Sequence, residues 1–259
     1  MNAFFEESGD GRYLASPLTS GPWDPRMQHG GPISALLARL LADVDPIPGQ
    51  RLARATFELL GPVPIGPFDV ERRVARAGKR VSLAEAVVRD PDGKELMLAR
   101  GWRIQPTPFE VESTLGAATL PDPKGRPRTR RSFAEDPTGF LAGIEVRFTK
   151  SGFSEPGPGA AWFRLVAPLV EGTPWRPTDP VFCAADCANG VSGALDFRRY
   201  VYINPDLTVH LQRDPRGEWV GLDAETVLSP GGVTVASGTL QDAGGLIGHT
   251  RQTLFVSSR

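Results

Sequence analysis

Between residues 31 and 44 the apolar positions fall at helical spacing. Ile33, Leu36, Leu37, Leu40, Leu41 and Val44 form one stripe, and Ala35 and Ala38 widen it. Pro32 suits a first turn and Asp45-Pro46 a stop, so the pattern predicts a helix over 31–44, apolar enough to be enclosed. The period then changes to two. Strands are predicted at 52–60, 68–77, 81–89 and 95–104, with Asp92-Gly93 as the hairpin turn between the last two. From 105 to 137 neither period persists, and PTPFEVESTLGAATLPDPKGRPRTRR reads as a linker or surface crossover. Strands return at 144–149, 161–168, 200–213, 218–228, 233–241 and 246–256, around a second apolar segment, VFCAADCANGVSGAL.

The second half repeats the first. When VSLAEAVVRDPDGKELMLARGWRI (81–104) is slid over VTVASGTLQDAGGLIGHTRQTLFV (233–256), Val81, Ala84, Asp90 and Gly93 meet identical residues and the hairpin turns coincide. The same slide lays 52–59 over 204–211, and nearly the same one lays Gly31 over Asp186. The expected organisation is therefore an N-terminal half (1–105), a crossover (106–138) and a C-terminal half (139–259), each an α+β unit with one buried helix.

Composition narrows the partners. Lys+Arg number 29 against 30 Asp+Glu, a net charge of -1, which gives no basic field for nucleic acid or an anionic membrane surface. A small molecule or a protein is the expected partner. The segment MNAFFEESGDGRYL lacks a signal-peptide core, and no run of apolar residues is long enough to enter a membrane, so a cytoplasmic chain is expected. Cys183 and Cys187 read as buried reduced thiols, since none of the three histidines lies near them to complete a metal site. The basic run RPRTRR reads as a solvated stretch of the crossover. No serine-hydrolase elbow, dinucleotide fingerprint or P-loop occurs, so no cofactor is expected.

The segments WDPRMQHGGPISALL, AGKRVSLAEAVVRD, CAADCANG, NPDLTVHLQRDPRGEW and GHTRQTLFV, in that order, resemble the double-hotdog acyl-CoA thioesterases of the thioesterase II family over almost the whole chain. The resemblance implies two tandem hotdog halves, hydrolysis of an acyl-CoA or acyl-carrier-protein thioester, and association into homo-oligomers. It also implies a site in the C-terminal half where an aspartate, a Thr/Ser/Asn side chain and a glutamine hold a water. These roles fall on Asp186, Asn204 and Gln252, with Thr208 as a neighbouring hydroxyl on the strand of Asn204. The turn Gly78-Lys79-Arg80 followed by Ser82 resembles the family's Gly-Arg-Ser segment. Lys79, Arg80 and Ser82 are accordingly candidate contacts for CoA phosphates.

The residue chemistry suits that role. A carboxylate at the start of an apolar helix, as Asp186 is expected to be, gains from the helix dipole and from neighbouring amides, and it orients or deprotonates a water. The plain alternative is an ordinary N-cap. Asn204 and Gln252 carry donors and acceptors without charge. In HTRQTLFV, alternation puts Thr250, Gln252 and Leu254 on one face, an arrangement that an edge strand also explains. Across the repeat, Gly31, Leu52 and Arg100 stand where the second half has Asp186, Asn204 and Gln252, which implies one active and one scaffold half. His29 then reads as a loop residue shaping a turn, while Gly30 and Gly31 bring backbone amides to a ligand at a helix N-terminus. Trp23 and Trp102 read as core.

Two other classes remain open. A hotdog hydratase or dehydratase needs a histidine five residues after the aspartate. Val191 stands there, leaving only His29 to approach Asp186 from the other half. A non-catalytic acyl-binding protein would carry the same segments with a degenerate site.

Overall fold

The computed structural model describes residues 2–9, 11–108, 110–126, 138–151, 153 and 155–259; of the basic run RPRTRR, only Arg126 falls among them. The first half opens with β1 (Phe5–Gly9) and β2 (Arg12–Ala15), a hairpin absent from the predicted set. Within β1 only Phe5 is buried, so no alternation marks it in the sequence. It is held instead by backbone bonds from Phe4 and Phe5 to Pro168 and Leu169. Then follow α1 (Gly30–Asp43), β3 (Arg51–Leu59), β4 (Pro67–Arg76), β5 (Val81–Arg89) and β6 (Glu95–Ile104), close to the predicted bounds.

The second half comprises β7 (Ile144–Lys150), β8 (Gly159–Leu165), α2 (Asp179–Asp186), α3 (Ala188–Val191), β9 (Tyr200–Ile203), β10 (Asp206–Leu211), β11 (Val220–Val227), β12 (Val233–Asp242) and β13 (Gly245–Ser258). The single strand predicted at 200–213 is two, interrupted at Asn204-Pro205, where the proline removes a ladder donor.

Among the described residues the strands form one antiparallel sheet in the order β1-β2-β4-β5-β6-β3-β10-β13-β12-β11-β8-β7, with β9 on β13. The halves join edge to edge where β3 pairs β10, Phe57 opposite Leu207. The helices lie inside the wrapped sheet: eleven of the fourteen residues of α1 are buried, and every residue of α2 is. The architecture is the expected α+β double hotdog. The crossover is pinned to the second half, since Trp162 Nε1 donates to Pro121 O at 2.8 Å and Leu246 N to Gly116 O at 3.1 Å. Among the described residues no helix is long and apolar enough to cross a membrane.

α1 and α2 run antiparallel. Gly31 lies against Cys183, where an added Cβ would stand 3.1 Å from its carbonyl oxygen. Farther along, Arg39 Nε donates to Asp179 Oδ1 at 2.6 Å. The N-terminus of α1 therefore meets the C-terminus of α2.

Candidate active site

That helix meeting assembles the site. Asn204 precedes a proline and so leaves the strand ladder, which frees its side chain to turn inward. Asn204 Nδ2 donates to Asp186 Oδ1 at 3.0 Å. From β13, Gln252 Nε2 donates to the same oxygen at 3.1 Å and to the Asp186 carbonyl at 3.1 Å, while its Oε1 accepts from Asn189 N at 3.3 Å. Gln252 is fully buried on a strand paired on both sides, so its inward face is not an edge effect. It braces the break between α2 and α3.

Asp186 lies at the end of α2, not at a helix start. The second-half helix breaks there: Cys187 follows, and α3 resumes for four residues. The helix N-terminus that faces the carboxylate belongs to α1. A Cβ on Gly30 would meet Asp186 Oδ2 at 2.8 Å and Oδ1 at 2.9 Å, so only glycine lets the two approach this closely. The positive end of α1 thus supports the anion from the opposite half.

His29 is the N-cap of α1. Its Nδ1 lies 3.0 Å from Gly31 N and 3.0 Å from Asp186 Oδ2, and its ring stacks on Phe140 with centroids 4.2 Å apart. The stretch QHGG is therefore no silent copy of a site elsewhere but the facing wall of the site that holds Asp186. The sequence did show the pieces: a histidine, two glycines and a helix start. What it left open was whether they meet Asp186 across the halves.

A cavity of about 810 Å³ opens on this cluster, lined by His29, Gly30, Asp186, Asn189 and Asn204 and walled by apolar residues including Ile33, Leu59, Val63, Met97 and Phe140. Trp23 and Tyr202 also line it, with ring centroids 5.3 Å apart, so Trp23 belongs to the cavity and not to the core. Trp102 is half-buried with the Arg76 guanidinium 6.0 Å from its ring centroid. Gln252 is not on the cavity wall; it holds Asp186 from behind. Asp186 Oδ1 accepts two hydrogen bonds and Oδ2 faces His29, so of four acceptor positions about one is open to a ligand. Among the described residues the Gly30 N–H has no partner, and it stands on the cavity wall.

Other expected ligand contacts lie elsewhere. Gly31 is buried against Cys183 and does not line the cavity. Thr208 follows Leu207 and precedes Val209, both fully buried, so its own side chain faces the outer side of the sheet. Ser82 is buried, donating to Gln50 Oε1 at 2.6 Å and accepting from Arg103 Nε at 3.0 Å, and has nothing left for a phosphate. Lys79 and Arg80 sit in the hairpin beside Ile104. The cavity residue Met97 lies toward the other end of β6, about 23 Å away at strand rise.

Register corrects the comparison of the halves. Arg89 faces Glu95 while Gln241 faces Leu246, so the second hairpin connection is one residue shorter. Ala84 pairs with Gly101 and Ala236 with Gln252, so the counterpart of Gln252 is Gly101, not Arg100, and a one-residue slip had reversed the face. A Cβ at Gly101 would strike Leu52 Cδ1 at 2.7 Å and Leu41 Cβ at 3.2 Å. Leu41, not Gly31, holds against Gly101 the place that Asp186 holds against Gln252.

Cys183 and Cys187 are buried and unpaired. Burial, aided at Cys187 by the Asp186 charge, pushes their thiols well up, which removes them as nucleophiles. Among the described residues no three His, Cys, Asp or Glu side chains gather as metal ligands.

Comparison with known proteins adds the following. A family model described as the acyl-CoA thioesterase C-terminal domain matches residues 116–256, and one described as the acyl-CoA thioesterase N-terminal domain matches residues 19–104. No curated protein sequence matches the chain. Among solved structures, a conserved protein of unknown function with a hot dog fold from Alicyclobacillus acidocaldarius is similar at TM-score 0.77 and 15% identity, over 98% of this chain and 96% of that one. A tesB protein from Mycobacterium avium subspecies paratuberculosis is similar at TM-score 0.70 and 19% identity, with coverage of 98% and 96%. An acyl-CoA thioesterase II, TesB2, from Mycobacterium marinum reaches TM-score 0.68 at 15% identity, again with 98% and 96% coverage. At these identities the likeness to the solved structures is one of fold.

Proposed function

The chain belongs to the acyl-CoA thioesterase family, and from that premise we propose that it hydrolyses an acyl-CoA thioester with a water held on Asp186. The observation that carries this reading is the Asp186 carboxylate, fixed by the amides of Asn204 and Gln252 on the wall of an apolar cavity and opposed by the N-terminus of α1.

The acyl chain occupies the apolar part of the cavity, with its carbonyl oxygen on the Gly30 N–H. There the helix end stabilises the charge that develops as water attacks. Asp186 and Asn204 hold the attacking water, using the acceptor position that the protein leaves free. Gln252 keeps the carboxylate in place from behind. The tetrahedral intermediate collapses, the C–S bond breaks, and CoA thiol and free acid leave.

The contact between His29 and Asp186 favours a second reading, a hydratase, because that chemistry needs a histidine and an acid converging on the acyl chain. Crotonyl-CoA hydration measured beside thiol release separates the two. The decisive experiment is thiol trapping across an acyl-CoA chain-length series, in wild type and Asp186→Asn. The expected result is a fall in kcat of at least ~10²-fold in the variant. Equal rates remove Asp186 from the chemistry, and binding without thiol release would make the protein a non-catalytic acyl carrier. The same series with acyl carrier protein thioesters decides between the two carriers.

A further inference from the structure

The cavity reaches the surface beside Trp23, Ile203 and Phe255, all three exposed. The Trp23 ring packs on Phe197, which also lines the cavity, with centroids 4.8 Å apart. The Arg259 guanidinium lies over both rings, 5.5 Å from the Trp23 centroid and 5.0 Å from that of Phe197, and its Nε donates to Phe197 O at 3.1 Å. The rings and the carbonyl fix this group without neutralising it. Among the described residues neither terminal nitrogen of Arg259 has a hydrogen-bond partner, and no carboxylate pairs with it. Arg198 and Arg199, which follow Phe197, are exposed and likewise lack a carboxylate partner among the described residues, while Arg259 N donates to Arg199 O at 3.0 Å. Asp196, the acidic residue of that segment, accepts from Arg198 N at 2.9 Å. A chain of net charge -1 thus holds unpaired positive charge beside the opening of its cavity.

We propose that Arg259, seated on the Trp23–Phe197 pair, binds a phosphate at the far end of the carrier's pantetheine arm and so selects thioesters whose carrier bears one. This rests on the thioesterase reading and adds the part of the substrate that the acyl cavity does not hold. A planar guanidinium with both terminal nitrogens open presents the fork that phosphate oxygens accept from. The reach is right. About thirteen bonds separate the sulfur of the arm from its phosphorus, the span of four to five extended residues or about 15 Å. In the protein, Asn204 touches Asp186, and Tyr202 stands about 7 Å before it at strand rise. The Tyr202 ring is 5.3 Å from that of Trp23, on which Arg259 lies. These steps put the guanidinium about 15–20 Å from the carboxylate. The phosphate thereby gains a place that Lys79, Arg80 and Ser82 do not supply.

The test compares Arg259→Gln with wild type on an acyl-CoA and on the matching acyl-pantetheine, which has the arm but no phosphate. Glutamine keeps a donor and removes the charge. KM for acyl-CoA should rise about tenfold, the loss expected for a charge-assisted contact made equally in ground and transition states. The preference for acyl-CoA over acyl-pantetheine should fall by the same factor, and Arg259→Lys should recover part of it. An unchanged preference in Arg259→Gln overturns the proposal. The same comparison with an acyl carrier protein thioester names the source. A loss with both carriers puts Arg259 on the phosphate they share, and a loss with acyl-CoA alone puts it on the phosphates of the nucleotide. Calorimetry with CoA and with pantetheine needs no turnover: Arg259→Gln should bind CoA about tenfold more weakly than wild type and pantetheine equally well. Equal CoA affinities overturn the proposal, and so does an equal loss for pantetheine, which would mark a general disturbance of the cavity. A wild type that binds CoA through Arg259 yet releases no thiol refutes the hydrolase reading and keeps this site.

Discussion

Gly30→Ala isolates the geometry of the site from its chemistry, because it adds one methyl group and removes no functional atom. The new Cβ would stand 2.8 Å from Asp186 Oδ2, 2.9 Å from Oδ1 and 3.1 Å from Cγ. Relief to ordinary contact requires the carboxylate and the helix end to part by about half an ångström. The carboxylate cannot swing freely, since Asn204 and Gln252 hold one oxygen and His29 faces the other. Overpacking of this kind costs about 1–3 kcal/mol. Replacing glycine by alanine near a helix start returns up to ~1 kcal/mol of backbone entropy. The return offsets only part of the cost, so Tm should fall by a few degrees.

Activity has no such compensation. A misplacement of about 1 Å in a catalytic group costs roughly 10²-fold, so half of that predicts a kcat about tenfold lower. The assay is steady-state thiol trapping on the best acyl-CoA substrate, with thermal unfolding of the same preparations. A Gly30→Ala protein with kcat within twofold of wild type would refute the reasoning, because the carboxylate would then have moved without consequence.

Two further outcomes concern the frame around the site. Burial works to raise the Asp242 carboxyl, but two Arg213 hydrogen bonds and the Arg216 and Gly244 amides outweigh it and hold the group below the ordinary carboxylate range. A depressed folded value stabilises the protein above the unfolded value of about 3.9, and the contribution is lost as pH falls further. Urea midpoints of wild type and Asp242→Asn should therefore differ at pH 7 and converge below about pH 4; a constant gap would contradict the assignment. Ser82→Ala should lower stability by about 1–3 kcal/mol, because it strips a partner from the buried Arg103 and from the half-buried Gln50, and leave KM unchanged. A raised KM at full stability would return Ser82 to the ligand site.

Elements with strong periodicity were legible from the sequence: α1 and the strands β3 to β6 fall within a residue or so of their expected bounds. The inward face of Gln252 was legible too, because alternation fixes it. What stayed hidden depends on contacts between distant segments. β1 has one buried residue and no pattern. The break after Asp186 was missed, since the carboxylate was expected at a helix start, and it is Gln252, reaching across from β13, that marks the gap. The face of Arg100 was misread because a hairpin shorter by one residue shifts every later position. An approach of His29 to Asp186 from the other half was left open, but no local spacing reports such a distance, and His29 was read as a loop residue.

The antiparallel helix pair has two ends, and they have been put to different uses. At one end Asp186 meets Gly30, the side-chain amides of Asn204 and Gln252, and a cavity. Toward the other, Asp179 at the start of α2 meets Arg39, with side chains 0% and 7% exposed, and Arg39 is further held by Thr173 Oγ1 and Pro174 O. Both carboxylates are buried, and the difference lies in what neutralises them. The Arg39 guanidinium and the Arg176 amide close over Asp179, whose side chain is fully buried. The dipole of α1 and neutral amides stabilise Asp186 without filling the space in front of it. A duplicated fold thus has two comparable helix ends, and with arginine at one and glycine at the other the cavity opens on Asp186.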